Sequence, residues 1–321
     1  KGSVITNNLN IILHIGYHKT GTTFLQDKIF SNLSKQEVIF LGQPFFNKNF
    51  KNFFQNLKDI NELSFDNEFF KNSFIKLLDE NYPDYKDKMI IVSLESLHSG
   101  FDWFGREVVY MSKKIQSVFP KAKIIIGMRP QATYVEAIYK EFIIHGGKIS
   151  FQYFLYKSQY FKFILKDKLF YEKVVKLYYK LYSKEQVFVY LQEQMKEDSS
   201  LLVNNILDFM EYKDKREFDY SPHYEGLSKI STELIRYINI LLVVDTNESI
   251  YIRGNSDLWT FKYKLRRRLI SLLRHINKLL KLKGKYIGLE DENYINNIYK
   301  ASNKEFSELL SIDLKKYGFF L

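Results

Sequence analysis

Four short apolar runs decide what this chain can fold into: Ile11 to Ile15, Met89 to Leu94, Lys123 to Met128 and Val187 to Leu191, with Val38 to Leu41 as a candidate fifth. Each is rich in β-favouring residues and too short for a buried helix, so each reads as a strand covered on both faces. Helical patterns separate them, and strands alternating with helices argue for βαβ units, hence an α/β fold with a parallel sheet flanked by helices. In such sheets ligands bind beyond the carboxyl ends of the strands, which is where the chemistry-bearing residues fall here. From about Ser221 the pattern turns helical. With 321 residues the expectation is one domain over 1–321: an α/β core over 4–220 with a helical C-terminal region, 221–321, packed on it.

The first run opens the string NIILHIGYHKTGTTFLQ, Asn10 to Gln26. Gly16 and Gly21 give the turn backbone freedom, and from Thr22 onward Phe24, Leu25, Lys28 and Ile29 recur at helical spacing. The first turn of a helix has unpaired N–H groups and a positive dipole end, so this turn suits a phosphate or sulfate. The general phosphate loop, G-x-x-x-x-G-K-[ST], places its lysine after the second glycine. Here that position is Thr22 and the lysine sits inside the loop as Lys19, so its ammonium reaches the anion from another side.

HIGYHKTGTTFLQ resembles the 5′-phosphosulfate loop of sulfotransferases that use 3′-phosphoadenosine 5′-phosphosulfate (PAPS), in particular the bacterial carbohydrate type. The resemblance implies a P-loop-like sulfotransferase architecture. It also implies donor binding by His18, Lys19, Thr20, Gly21, Thr22 and Thr23, with Lys19 catalytic as well. KIIIGMRPQATYVEAIYKEFI is similar to the family's 3′-phosphate site, an arginine after a strand and a serine eight residues later. Arg129 fits the first position, and its guanidinium suits phosphate. The eighth residue on is Ala137, so the second half of that site lacks its hydroxyl, and the helical angle of Thr133 points elsewhere. A surface arginine paired with Glu136 or Glu141 is the alternative for Arg129. VFVYLQEQMKEDSSLLVNNILDFM and the tail YKASNKEFSELLSIDLKKYGFF are similar to the family's closing strand and helix and to its C-terminal helix. Asn303 in that tail reads equally as structural or nucleotide-touching. The resemblance spans nearly the whole chain and is strongest at 11–30 and 123–142.

A hydroxyl acceptor needs a general base within hydrogen-bond reach, and a carboxylate or an imidazole can serve. The run MIIVSLESLHSG ends a strand with Ser93, Glu95 and His98. Some relatives take the base from a segment shortly after the lysine loop, but VIFLGQPFF holds neither acid nor histidine. Glu95 is therefore the first candidate and His98 the second. The competing readings of Glu95 are a structural carboxylate paired with Lys19 or capping a helix, and a metal site of a nucleotide triphosphatase.

Phe and Tyr number 28 and 24, and FFNKNFKNFFQNL within Phe45 to Asn72 concentrates them. That insertion reads as helices packing rings onto the sheet, with an acceptor-side wall as the alternative. A net charge of +11 favours polyanionic partners. Without cysteine there are no disulfides or thiolate metal sites, and the six scattered histidines lack zinc spacing, so no metal is expected. Between Lys262 and Lys285 stand ten Lys or Arg residues and no acid, with Leu265, Leu269, Leu272, Leu273, Ile276, Leu279 and Leu280 on one helical face. The stripe is expected to pack on the sheet domain with the charge outside. That charge is either a solvated face or an attractor of nucleotide phosphates, an anionic acceptor or a membrane surface. Arg253, Gly254 and Lys262 lie where the family often places a loop over the nucleotide. No binding module accompanies the charge, so nucleic acid is not an expected partner. No leader pattern is visible, and runs such as Ile240 to Val244 fall far short of the ~20 residues a membrane span needs. A cytoplasmic protein is expected, with peripheral contact at the inner membrane surface through 262–285 as an option.

These features together read as a transferase that moves the sulfuryl group of PAPS to a hydroxyl acceptor, a glycan first among the candidates, without a metal. A tyrosine, a lipid headgroup or a small alcohol would fit the same residues. Two rivals from other classes are a nucleotide-triphosphate kinase with a variant loop and a noncatalytic protein that binds anions or membrane surfaces.

Overall fold

A computed structural model describes residues 9–43, 46–97, 107–214, 217–221, 226–242, 257–280 and 284–321. The chain opens with β1 (Asn10–Gly16) and α1 (Thr22–Phe24), the latter running on as a π turn (Leu25–Ile29) and a 3-10 turn (Phe30–Asn32). β2 (Val38–Gly42), α2 (Lys48–Asp59), α3 (Asn67–Asn81), β3 (Met89–Ser93), α4 (Glu107–Val118) and β4 (Lys123–Met128) follow. Then come α5 (Gln131–Ile144), α6 (Phe151–Tyr156), α7 (Lys166–Lys168), α8 (Tyr171–Tyr182), β5 (Val187–Leu191), α9 (Gln192–Glu197) and α10 (Ser199–Met210). Three long helices close the chain: α11 (Lys229–Leu242), α12 (Asp257–Leu279) and α13 (Leu289–Leu310).

The four expected strands and the candidate fifth all form, each ending within one residue of its apolar run. They pair in parallel in the order β2-β3-β1-β4-β5. Alternate residues serve the two faces. Ile12, Ile91 and Ile125 join Leu25, Ile29, Leu202, Val203, Ile206 and Met210 in one apolar core, whereas Ile11, Leu13, Ile90, Val92 and Ile124 are buried on the other face. The parallel sheet flanked by helices is thus the observed architecture.

The chain gathers into two compact units that interleave in sequence. The first comprises Lys1–Arg129, Tyr171–His223 and Glu305–Asp313, and the second Pro130–Phe170, Tyr224–Lys304 and Leu314–Leu321. In the first unit, α2 and α3 start at Asn47 and Asp66, whose side chains accept from the backbone N–H groups of Asn49 and of Glu68 and Phe69. Their aromatic residues bury against one another: Phe53 and Phe54 pack on Phe74, which meets Phe119 edge-on.

In the second unit α11 packs on α5 and α12 on α11. Asn239 donates to the carbonyls of Ile143 and Gly147 at the end of α5, and its own carbonyl accepts from Arg266 Nε at 2.7 Å. Arg266 also reaches the Ile144 carbonyl, so a guanidinium meets the negative end of the α5 dipole. This corrects the expected orientation of α12. Its buried line runs through Arg266, Ile270 and Asn277, while Leu272, Leu279 and Leu280 of the expected apolar face stay exposed. Burial follows the polar residues because each has buried partners, Asn277 accepting from Ser228 N and Ser231 Oγ. Asn303 is likewise structural, exchanging hydrogen bonds with Gln131 and donating to the Phe320 carbonyl.

Candidate active site

β1 is the central strand, between β3 and β4, and the three carboxyl ends carry the candidate residues. The ladder pairs Gly16 with Gly127 and His14 with Ser93, which brings the loop after β1 level with the ends of both neighbours. A Cβ on Gly127 would overlap the Tyr190 ring and lie 2.6 Å from Thr20 Oγ1, so the glycine is what lets the loop settle against β4. Gly21, at φ 94, precedes α1, and the side chain of Met195 fills the space beside it.

Lys19 stands at φ 62, a left-handed conformation that costs a non-glycine residue roughly 1–2 kcal/mol. Its carbonyl accepts from Arg129 Nη1 at 3.0 Å, a charge-assisted bond that helps hold the turn. The arginine at the end of β4 is therefore tied to the lysine loop, and its own carbonyl accepts from Tyr171 Oη at 2.9 Å. Lys19 and Thr23 are exposed, Thr20 and Thr22 buried, and Thr20 Oγ1 donates to the Tyr17 carbonyl at 2.7 Å. The helix that follows leaves its first amides without partners inside the helix.

Glu95 begins a short 3-10 turn just after β3, and its carboxylate meets His18 Nδ1. Its partner is thus His18 rather than Lys19. Burial pushes the Glu95 carboxyl up, but the hydrogen bond and charge of His18, the Thr22 hydroxyl and the His14 ring together hold it below its ordinary value. A quarter of the side chain remains open to solvent, at 24%. The carboxylate is ionised at neutral pH and partly open to solvent. His98, Arg253 and Gly254 lie outside the described residues. On α5, Ala137 is half-buried, and the Thr133 hydroxyl donates to the Pro130 carbonyl at 2.9 Å.

No family model matches the chain, and a comparison with curated proteins finds no match. Among solved structures, a sulfotransferase from Alicyclobacillus acidocaldarius is similar at 17% identity and a TM-score of 0.48, over 83% of this chain and 98% of that one. A mouse sulfotransferase in complex with PAP is similar at 12% identity and a TM-score of 0.37, over 82% of each chain. A sulfotransferase domain from the curacin biosynthetic pathway is similar at 9% identity and a TM-score of 0.38, over 95% of this chain and 98% of that one. All three are sulfotransferases.

Beneath the loop lies a buried polar chain that the motifs do not announce. Gln26 Nε2, on the π turn after α1, donates to Ser93 Oγ at 2.9 Å, which sits 2.7 Å from His14 Nδ1. His14 Nε2 lies 3.2 Å from Tyr190 Oη, and the Tyr190 hydroxyl hydrogen-bonds the side chains of Thr20 and Thr22. Thr22 in turn bonds Glu95. Burial lowers the His14 imidazole to about 4, against an opposing pull from Glu95, so the ring is neutral at physiological pH. Burial raises the Tyr190 phenol far above its ordinary range, so it too is neutral. The signal in the sequence was a polar residue inside each apolar run: His14 in IILHIG, Ser93 in MIIVS and Tyr190 in VFVYL. A buried polar group in a strand calls for a buried partner, and these find one another.

Proposed function

We propose that this chain is a PAPS-dependent sulfotransferase that acts on a hydroxyl of a glycan acceptor. The observation that carries the reading is the meeting, at the carboxyl ends of β3, β1 and β4, of an ionised Glu95, the Lys19 loop and Arg129. In this scheme Lys19 and the amides of Thr20 to Thr23 hold the 5′-phosphosulfate and stabilise the charge that develops on the bridging oxygen. Arg129 anchors the 3′-phosphate, and Ala137 has no hydroxyl to add to that grip. Glu95, oriented by His18, takes the proton of the acceptor hydroxyl as its oxygen bonds to sulfur and the bond from sulfur to the phosphate oxygen breaks. His98 is the second candidate for that proton. The net charge of +11 suits an acidic polysaccharide or glycolipid. No step calls on a metal.

The test is turnover with PAPS against panels of glycans, peptides and lipids, read by mass spectrometry as the gain of one SO₃. Glu95→Gln should keep donor binding and lose turnover by about 10²–10⁴-fold. Full activity in Glu95→Gln rejects the base assignment. Strict magnesium dependence with transfer of a phosphoryl group from a nucleoside triphosphate would replace the whole reading with a kinase.

A further inference from the structure

The helix pair α11 and α12 carries two exposed apolar stripes. On α11, Ile230, Leu234, Tyr237 and Leu241 succeed one another at steps of four, three and four residues, which is one helical face, and they are 57, 47, 56 and 77% exposed. The buried Thr232, Ile235 and Asn239 lie on the opposite side. On α12, Phe261, Leu272 and Leu279 share a face at 65, 54 and 72% exposure. That face is turned away from the buried line of Arg266, Ile270 and Asn277. Next to it runs a third line, the exposed cations Lys264, Arg268, Arg274 and Lys278. No Asp or Glu interrupts the sequence from Lys262 to Lys285.

Single exposed apolar residues are ordinary on any surface, but several sharing one helix face mark a contact surface. An apolar stripe beside a cationic one is the pattern of a helix lying in the plane of a bilayer interface. A second copy of this chain would bring the same cations face to face, which costs affinity, whereas anionic headgroups complement them. We propose that α12 docks on an anionic bilayer surface, with Phe261, Leu272 and Leu279 toward the acyl boundary and the cations among the headgroups. No described helix is long and apolar enough to cross a membrane, so the contact lies along the surface. The inference is independent of the reaction proposed above.

Co-sedimentation of the full chain with vesicles tests it. The chain should pellet with vesicles containing phosphatidylserine, should not pellet with pure phosphatidylcholine, and should be released by high salt. Reversing Lys264, Arg268, Arg274 and Lys278 to Glu should lower partitioning by a hundredfold or more, since each cation near the surface contributes roughly fivefold. Changing Phe261, Leu272 and Leu279 to Ser should weaken binding by about tenfold or more and leave only the salt-sensitive part. Thermal melts of both variants control for folding, and the salt and lipid dependence of the unmodified chain decides the matter even where a variant fails to fold. Failure to pellet with anionic vesicles, or pelleting unchanged in both variants, overturns the proposal. So does a dimer in sedimentation velocity that the serine variant abolishes, which would make a second copy the occupant.

Discussion

Acidification is expected to remove a defined amount of stability through His14. The imidazole is fully buried between Ser93 and Tyr190, and burial lowers it from 6.5 to about 4. An unfolded chain protonates this histidine below 6.5, whereas the folded chain keeps it neutral down to about 4. The contribution is therefore fully present above 6.5 and is lost as pH falls through that window to about 4. At about 1.4 kcal/mol per unit, the complete loss is about 3 kcal/mol, of which about 2 kcal/mol is gone by about pH 5. His14→Asn removes the titrating group. It should cost about 1–3 kcal/mol at neutral pH through the lost hydrogen bonds and then show a flatter decline on acidification. Urea unfolding followed by circular dichroism from neutral pH to about pH 5 compares the two slopes. Equal slopes in the two proteins would mean that the buried ring titrates as it does in the unfolded chain, and would overturn this expectation.

Gly127→Ala puts a methyl group into the Tyr190 ring and Thr20, and should destabilise by about 1–3 kcal/mol. Calorimetric melting checks this, and in a Tyr190→Val background the cost should shrink. Lys19→Gly relieves the left-handed residue, so stability should stay within about 1 kcal/mol of the original in urea unfolding while donor affinity is lost. Glu95 is held below its ordinary 4.5, so the stability its pairing contributes is present above 4.5 and is lost as pH falls through the lowered value. Turnover should accordingly be level on the acid side of neutrality and fall only below the ordinary carboxylate range, as a pH–rate profile would record. Asn239→Ala leaves Arg266 and two carbonyls at the end of α5 without their partner and should cost about 2–4 kcal/mol by urea unfolding.

Strands were legible because five short apolar runs have only one economical arrangement, a parallel sheet covered on both faces. The loop was legible because Gly16, Lys19 and Gly21 sit at local, sequence-adjacent spacing, and the two strand ends that flank it announced themselves through Glu95 and Arg129. Partnerships over long sequence distances were not legible. Nothing local says that Glu95 takes His18 rather than Lys19, or that Ser93, His14 and Tyr190 connect three strands through their side chains. The rotation of α12 escaped for a related reason. Its leucines outvote its polar residues in any periodicity, yet Asn239 and Ser228, far away in sequence, supply the partners that bury Arg266 and Asn277.

The most direct test of the central claim is isothermal titration of the chain with 3′-phosphoadenosine 5′-phosphate in the presence of a magnesium chelator. One saturable site is expected, which Lys19→Ala and Arg129→Ala each weaken and Glu95→Gln leaves in place. Absence of binding, or binding indifferent to Lys19→Ala, would contradict it.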